Sequence, residues 1–182
     1  MVMRRVLLNL IVVLALAAVA QALYWAPQLP ERVASHFDLS DRANGWMGRS
    51  AFLVTAIALH VFLAGLFVAL PLLLDRIPDA LINMPNKDYW LAPVRRRQSL
   101  AHLSSGLLAI GCATLVLLLV IFQGVFALNA RLAREAAAGA TDGGAAAPQL
   151  SLPLPFPAVV VLYLVAVGFA LTWMLRSFRK PA

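Results

Sequence analysis

Four stretches of this chain carry no charged side chain, and each is long enough to cross a bilayer. They lie between Arg5 and Glu31 (25 residues), Arg49 and Asp75 (25), Arg97 and Arg131 (33), and Asp142 and Arg176 (33). A charge near the bilayer centre costs several kcal/mol, whereas about 20 apolar residues in a helix span the hydrocarbon. The last interval is shortened by Pro148, Pro153, Pro155 and Pro157, which cannot continue a helix interior, so its helix should start near Ala158. The expected architecture is an all-α membrane protein with four transmembrane helices, at about 5–25, 50–74, 99–128 and 157–176.

Composition closes off the alternatives. With 62% hydrophobic and 13% charged residues and a mean hydropathy of +0.84, the chain is not a soluble globular domain. Its net charge of +7 does not point to nucleic acid, because the basic residues occupy short gaps between apolar runs. They read instead as topology. With the N-terminus inside, Arg4, Arg5, Arg76, Lys87, Arg95, Arg96, Arg97, Arg176, Arg179 and Lys180 are cytoplasmic. Only Arg32, Arg42, Arg49, Arg131 and Arg134 fall outside. Both termini are therefore expected in the cytoplasm. Tyr24, Trp25, Trp46, Trp90, Trp173 and Phe178 fall at helix ends, where aromatic residues favour the interface. Met1 to Ala22 also fits a signal peptide ending at Ala18-Val19-Ala20, but its apolar run is longer than the usual signal core, so a retained helix is expected.

The organisation expected is a helical pair with its two loops at 1–98 and a second pair at 99–182. The latter is joined by an Ala/Gly/Pro-rich connection from about Asn129 to Pro157, whose composition predicts a mobile extracytoplasmic linker. The absence of an internal repeat argues against a transporter built on inverted repeats.

Few residues suggest chemistry. The lone Cys112 allows no intramolecular disulfide and no paired-cysteine metal site. His36, His60 and His102 fall on three segments, two of them on opposite sides of the membrane, so no metal site and no cofactor is expected. No nucleophile elbow, zinc-binding helix or phosphate-cradling glycine loop occurs, and no enzymatic activity is expected. His60 lies about ten residues into the second helix, near mid-membrane at ~1.5 Å per residue, and an ionisable group there is a functional candidate. The plainer expectation is that it packs between helices, beside Ala56 and Ala64, and hydrogen-bonds to Thr114 or Gln123. Ser105, Ala109 and Ala113 form a small-residue stripe suited to helix packing.

The loop between the first two helices is more distinctive. It reads Leu29-Pro30-Glu31-Arg32-Val33-Ala34-Ser35-His36-Phe37-Asp38, continues through Asp41-Arg42-Ala43, and closes with Asn44-Gly45-Trp46-Met47-Gly48-Arg49, where Asn44-Gly45 reads as a turn. The pattern Leu-Pro-x-x-Val-x-x-His-Phe followed by Gly-Trp-x-x-Arg resembles the family called domain of unknown function 1648. That family usually has Pro at the position of Ala34, Gly at Asp41, Asp at Asn44 and Lys at Arg49. The next loop, Ile82-Asn83-Met84-Pro85-Asn86-Lys87-Asp88-Tyr89-Trp90 with Ala92-Pro93 and Arg95-Arg96, resembles a Pro-Asn-Lys-x-Tyr-Trp segment of many such proteins. Relatives with this domain include SdpI-type proteins, larger in their membrane region, that protect bacteria from a secreted peptide toxin. By analogy the resemblance implies an immunity-like role and a place in a bacterial plasma (inner) membrane.

Three functions follow as expectations. The first is a non-enzymatic protein that senses or binds an extracytoplasmic molecule, a peptide or lipid, through His36, Phe37, Asn44, Trp46 and Arg49, as an immunity-like protein or signalling accessory. The second is an accessory subunit of a larger membrane complex, with a membrane-protein partner. The third is a transporter or enzyme using His60. Asn83, Asn86, Lys87, Tyr89, Trp90, Arg95 and Arg96 are expected to anchor the second loop at lipid headgroups, at ~1 kcal/mol per basic charge, or to dock a partner.

Overall fold

The structure is a computed structural model and describes residues 2–38, 40–139, 148–150 and 156–179. Its four long helices are α1 (Val2–Trp25), α2 (Arg49–Leu74), α4 (Pro93–Ala137) and α5 (Phe156–Ser177), with a short α3 (Lys87–Trp90) before α4. Each of the four long ones is apolar and long enough to cross a bilayer. The chain is a multi-pass membrane protein.

Two features differ from the sequence expectation, for physical reasons: the length of α4 and the presence of a small sheet. Helix α4 has 45 residues, not the thirty expected at 99–128, because a charge ends a membrane span but does not end a helix. Pro93 starts it, since a proline's missing N–H costs nothing at the first helical position. At ~1.5 Å per residue it is about 68 Å long, over twice the ~30 Å hydrocarbon, so a large part of it lies beyond the apolar layer. Pro71 sits inside α2 and is tolerated one turn from its end. Finally, the fold is not purely α. The loop from 29 to 49 contains a two-stranded antiparallel sheet, β1 (Arg32–Phe37) and β2 (Ala43–Gly48).

The described residues form two compact units, and each takes a part of α1, α2, α4 and α5. One comprises Ala15–Val61 and Val116–Val160. Its core is Ala22, Leu29, Val33, Phe52, Ala56, Val125, Phe126 and Leu150, with Phe52 edge-on to Phe126 at 5.4 Å. A polar clasp joins α1 to α4 here: Gln21 Nε2 donates to Leu119 O and to Gln123 Oε1 (3.1 and 3.0 Å), and the Trp25 indole donates to Gln123 Oε1 (3.1 Å). Such side-chain bonds hold membrane helices together where hydrophobic attraction between them is weak.

The other unit comprises Met1–Leu14, Phe62–Leu115 and Val161–Ala182. Here Thr114 bonds the Tyr163 hydroxyl at 3.0 Å, and the Cys112 thiol donates to Leu7 O at 3.7 Å. Gly111 lets Phe67 lie against the helix backbone, because a Cβ on it would sit 2.5 Å from Phe67 Cγ. A second apolar cluster, Ile82, Met84, Leu91, Leu100, Met174 and Phe178, gathers the loop after α2 onto α4 and α5.

Candidate functional site

The hairpin is built from a tight turn and two compensating irregularities. Asp38 Oδ1 accepts the backbone N–H groups of Ser40 and Arg42 (2.8 and 3.0 Å), and Asp41 takes a left-handed conformation at φ 61°. That conformation is open to Gly and to Asp, which accounts for Asp41 standing where the resembled family has Gly. The turn is therefore held by Asp38 and Asp41 and does not lie at Asn44-Gly45, which is part of β2. The pairing runs Val33 with Met47, Ala34 with Trp46, His36 with Gly45 and Phe37 with Ala43, so Ser35 is an extra residue on β1 and Asn44 one on β2. Gly45 is needed for space: a Cβ there would lie 3.0 Å from that of His36.

Of the five residues expected to form a binding surface, Phe37 packs inward, Arg49 is exposed but tied to the backbone, and the other three are exposed. Phe37 packs against the core beneath the hairpin. Arg49 closes the loop's base, its guanidinium donating to Leu29 O (3.2 Å) and its N–H to Glu31 O (2.9 Å). His36 is exposed, with Nδ1 3.0 Å from the Ser35 hydroxyl. Asn44 is exposed at its bulge, and Trp46 is 47% exposed beside a shallow depression of about 340 Å³ that it lines with Arg32.

The residue that fixes this hairpin escaped the sequence reading. Asn129, placed there at the start of a loop, lies buried within α4, 1% exposed. Its Oδ1 accepts the Ala34 N–H at 2.7 Å, while its Nδ2 donates to Ala34 O at 2.9 Å and to Val125 O at 2.9 Å. One side-chain amide thus stands in for a neighbouring strand and satisfies both backbone groups of a fully buried residue. Proline, the family's usual residue at this position, has no N–H for that first bond; Ala34 and Asn129 fit each other.

Part of the connection expected to be a mobile linker is also docked. Ala43 N–H donates to Pro148 O and Leu150 N–H to Asp41 O, both at 2.8 Å, so residues 148–150 lie antiparallel to the start of β2 and bury Leu150 in the core. The rest of the Ala/Gly/Pro-rich run, 140–147 and 151–155, lies outside the described residues.

His60 is buried, but with different partners from those expected. Its Nδ1 is 2.7 Å from Ala56 O in its own helix, so Nδ1 carries a proton, since a carbonyl oxygen only accepts. Its ring packs on Phe122 at 5.3 Å, and Nε2 is buried without a hydrogen-bond partner among the described residues. Thr114 and Gln123 are occupied by Tyr163 and by Gln21 with Trp25.

The loop after α2 is a folded cap, and most of its candidate residues serve that cap. Asn86, left-handed at φ 52°, starts α3. Its Nδ2 and the Trp90 indole both donate to Phe178 O, at 2.9 and 2.7 Å. Lys87 Nζ donates to Ala80 O (3.1 Å), Arg96 pairs with Asp79 (2.9 Å), and the Arg95 guanidinium lies 3.9 Å over the Tyr89 ring. Asn83 is exposed. Phe178, read from sequence only as an interfacial aromatic, is the cap's seat.

Residues 11–59 match the model of a family described as "Domain of unknown function (DUF1648)". The match runs from within α1 through the hairpin into α2, ends one residue short of His60, and includes Ala34 but not Asn129 or the cap after α2. No curated protein and no solved structure matches the chain.

Proposed function

We propose that this DUF1648-bearing membrane protein is a non-enzymatic receptor-like component of a bacterial plasma membrane, with both termini cytoplasmic, that binds an extracytoplasmic molecule on its hairpin. A single observation carries the reading: a hairpin held from beneath by Asn129 and Phe37, and tied at its base by Arg49, leaves Trp46 half exposed beside Arg32. A large aromatic on a fixed backbone, with a cationic neighbour, is how a binding surface is built at low entropic cost. An extended peptide suits it best. Because Asn129 takes the N–H and C=O of Ala34, these point away from β2, so those of its partner Trp46 point away from β1, toward an edge to which residues 148–150 already add as a strand.

The first test is complementation of a deletion strain. Trp46→Ala and His36→Ala remove the deletion-linked phenotype's rescue while membrane level and thermal stability stay near wild type. A fall in protein level in proportion to the phenotype makes the hairpin a structural lid and favours an accessory-subunit role. Immunity to a secreted peptide is the form of this reading in which the same variants sensitise cells to one toxin.

A further inference from the structure

Where α1 begins, α2 ends and α4 begins, a cleft of about 770 Å³ opens, lined by Arg4, Asp75, Arg97, Gln98, His102 and Ser105 among others. Its charges are unspent. Among the described residues the ion pairs are Arg96 with Asp79 and Arg131 with Glu135, so Arg4, Arg97 and Asp75 face one space without pairing to each other. Arg4 Nε and His102 Nε2 are buried beside the cleft with no hydrogen-bond partner among the described residues, and the His102 ring packs against Trp173 and Phe178. Two guanidiniums that line one cleft without a carboxylate partner leave N–H donors open to an anionic acceptor.

The neighbouring arginines sharpen the point. Arg95 lies over Tyr89 and Arg96 is held by Asp79 and Ile77 O, so within the Arg95-Arg96-Arg97 run only Arg97 is left to the cleft. Two guanidiniums recognise a phosphodiester through paired N–H donors. Asp75, which would repel a plain anion, complements a cation carried a few ångströms from the phosphate. The ligand that carries both groups is a phosphoethanolamine head. A lipid source fits what adjoins the cleft: Met3, which lines it, begins an exposed apolar strip on α1 with Val2, Val6 and Leu10, which are 41–77% exposed and suited to acyl chains.

We infer that this cleft binds one phospholipid with a primary-ammonium head, the phosphate on Arg4 and Arg97 and the ammonium on Asp75. It is a site distinct from the hairpin, and it stands whether or not the hairpin binds a peptide.

Native mass spectrometry of the detergent-purified full chain, titrated separately with phosphatidylethanolamine, phosphatidylglycerol and phosphatidylcholine, tests the assignment. The wild-type protein retains one phosphatidylethanolamine in preference to both others. Arg4→Gln with Arg97→Gln weakens that adduct by about tenfold or more. Asp75→Asn, a change at an exposed side chain with little bearing on folding, keeps phospholipid binding but loses the preference over phosphatidylglycerol. Equal or better retention of phosphatidylglycerol by the wild type overturns the assignment, as does binding indifferent to the arginine changes. Soluble O-phosphoethanolamine, added to delipidated protein, leaves no adduct at concentrations that saturate with lipid; if it binds as well as the lipid, the ligand is a soluble phosphoryl compound and the lipid assignment fails.

Discussion

Replacing Asn129 by Ala should loosen the hairpin far more than it destabilises the helices. In the native protein the Asn129 amide satisfies Ala34 N–H and Ala34 O, both on a residue with 0% exposure. The third bond, to Val125 O, matters less, because a helical carbonyl already has its own partner four residues on. Two buried backbone groups left unpaired at about 1–3 kcal/mol each would cost about 2–6 kcal/mol if the hairpin stayed in place. It need not stay, because β1 and β2 are short and water can reach Ala34 by local opening. The cost is then capped by the free energy of that opening, and it appears as lost protection, not as global unfolding. Hydrogen exchange in nanodiscs should show amides of 32–37 and 43–48 exchanging about 30-fold faster or more, equivalent to at least ~2 kcal/mol, while α1 and α2 amides change little. Asn129→Asp should fall between, keeping an acceptor for the Ala34 N–H but losing the donor to Ala34 O. Exchange within about threefold of wild type in Asn129→Ala would mean that the core contacts of Val33, Phe37 and Met47 hold the hairpin unaided, and the clamp argument would be refuted.

His60→Leu should stay within about 1 kcal/mol of wild-type stability, since it trades one local bond to Ala56 O for relief of an unpartnered Nε2, whereas His60→Asp should express poorly; a large thermal destabilisation of the leucine variant would contradict this. Gly111→Ala should destabilise by about 1–3 kcal/mol through the clash with Phe67, while Gly65→Ala, with nothing within 4 Å of its new Cβ, should be neutral or stabilising by up to about 1 kcal/mol; thermal melts of the pair separate packing from helix propensity. Reporter fusions after Arg97 and after Arg131 should give opposite compartments, and a shared compartment would overturn the proposed topology.

How much of this fold can be read from the sequence follows from what each signal measures. A charge-free run reports the price of a charge in lipid, so it places all four spanning helices but cannot say where they stop. Arg95 to Arg97 and Arg131 are helical residues beyond the apolar window, and α4 continues through them. The hairpin is hidden by its own irregularity: alternation of inward and outward residues is the strand signal, and the extra residue at Ser35 shifts it by one midway along a six-residue strand. Asn44-Gly45 then offers a false turn, whereas the real one rests on Asp38 and a left-handed Asp41.

Long-range partnerships are the least legible, because both members look ordinary alone. Asn129 reads as a residue ending an apolar run, and Ala34 as a departure from a family's proline. Only their contact shows that an N–H at 34 and an amide at 129 make sense together, 95 positions apart. The same holds for Phe178, whose carbonyl oxygen gathers the Asn86 and Trp90 donors of the cap. Such pairs also sort the candidate residues by use. Arg49, Asn86, Lys87, Trp90, Arg95 and Arg96 have their polar groups committed within the protein, so a ligand would have to displace native bonds to reach them. Trp46 and Asn44 on the hairpin, and Arg4, Arg97 and Asp75 in the cleft, would meet a ligand without that cost, as would His36 through Nε2, its Nδ1 being engaged by Ser35.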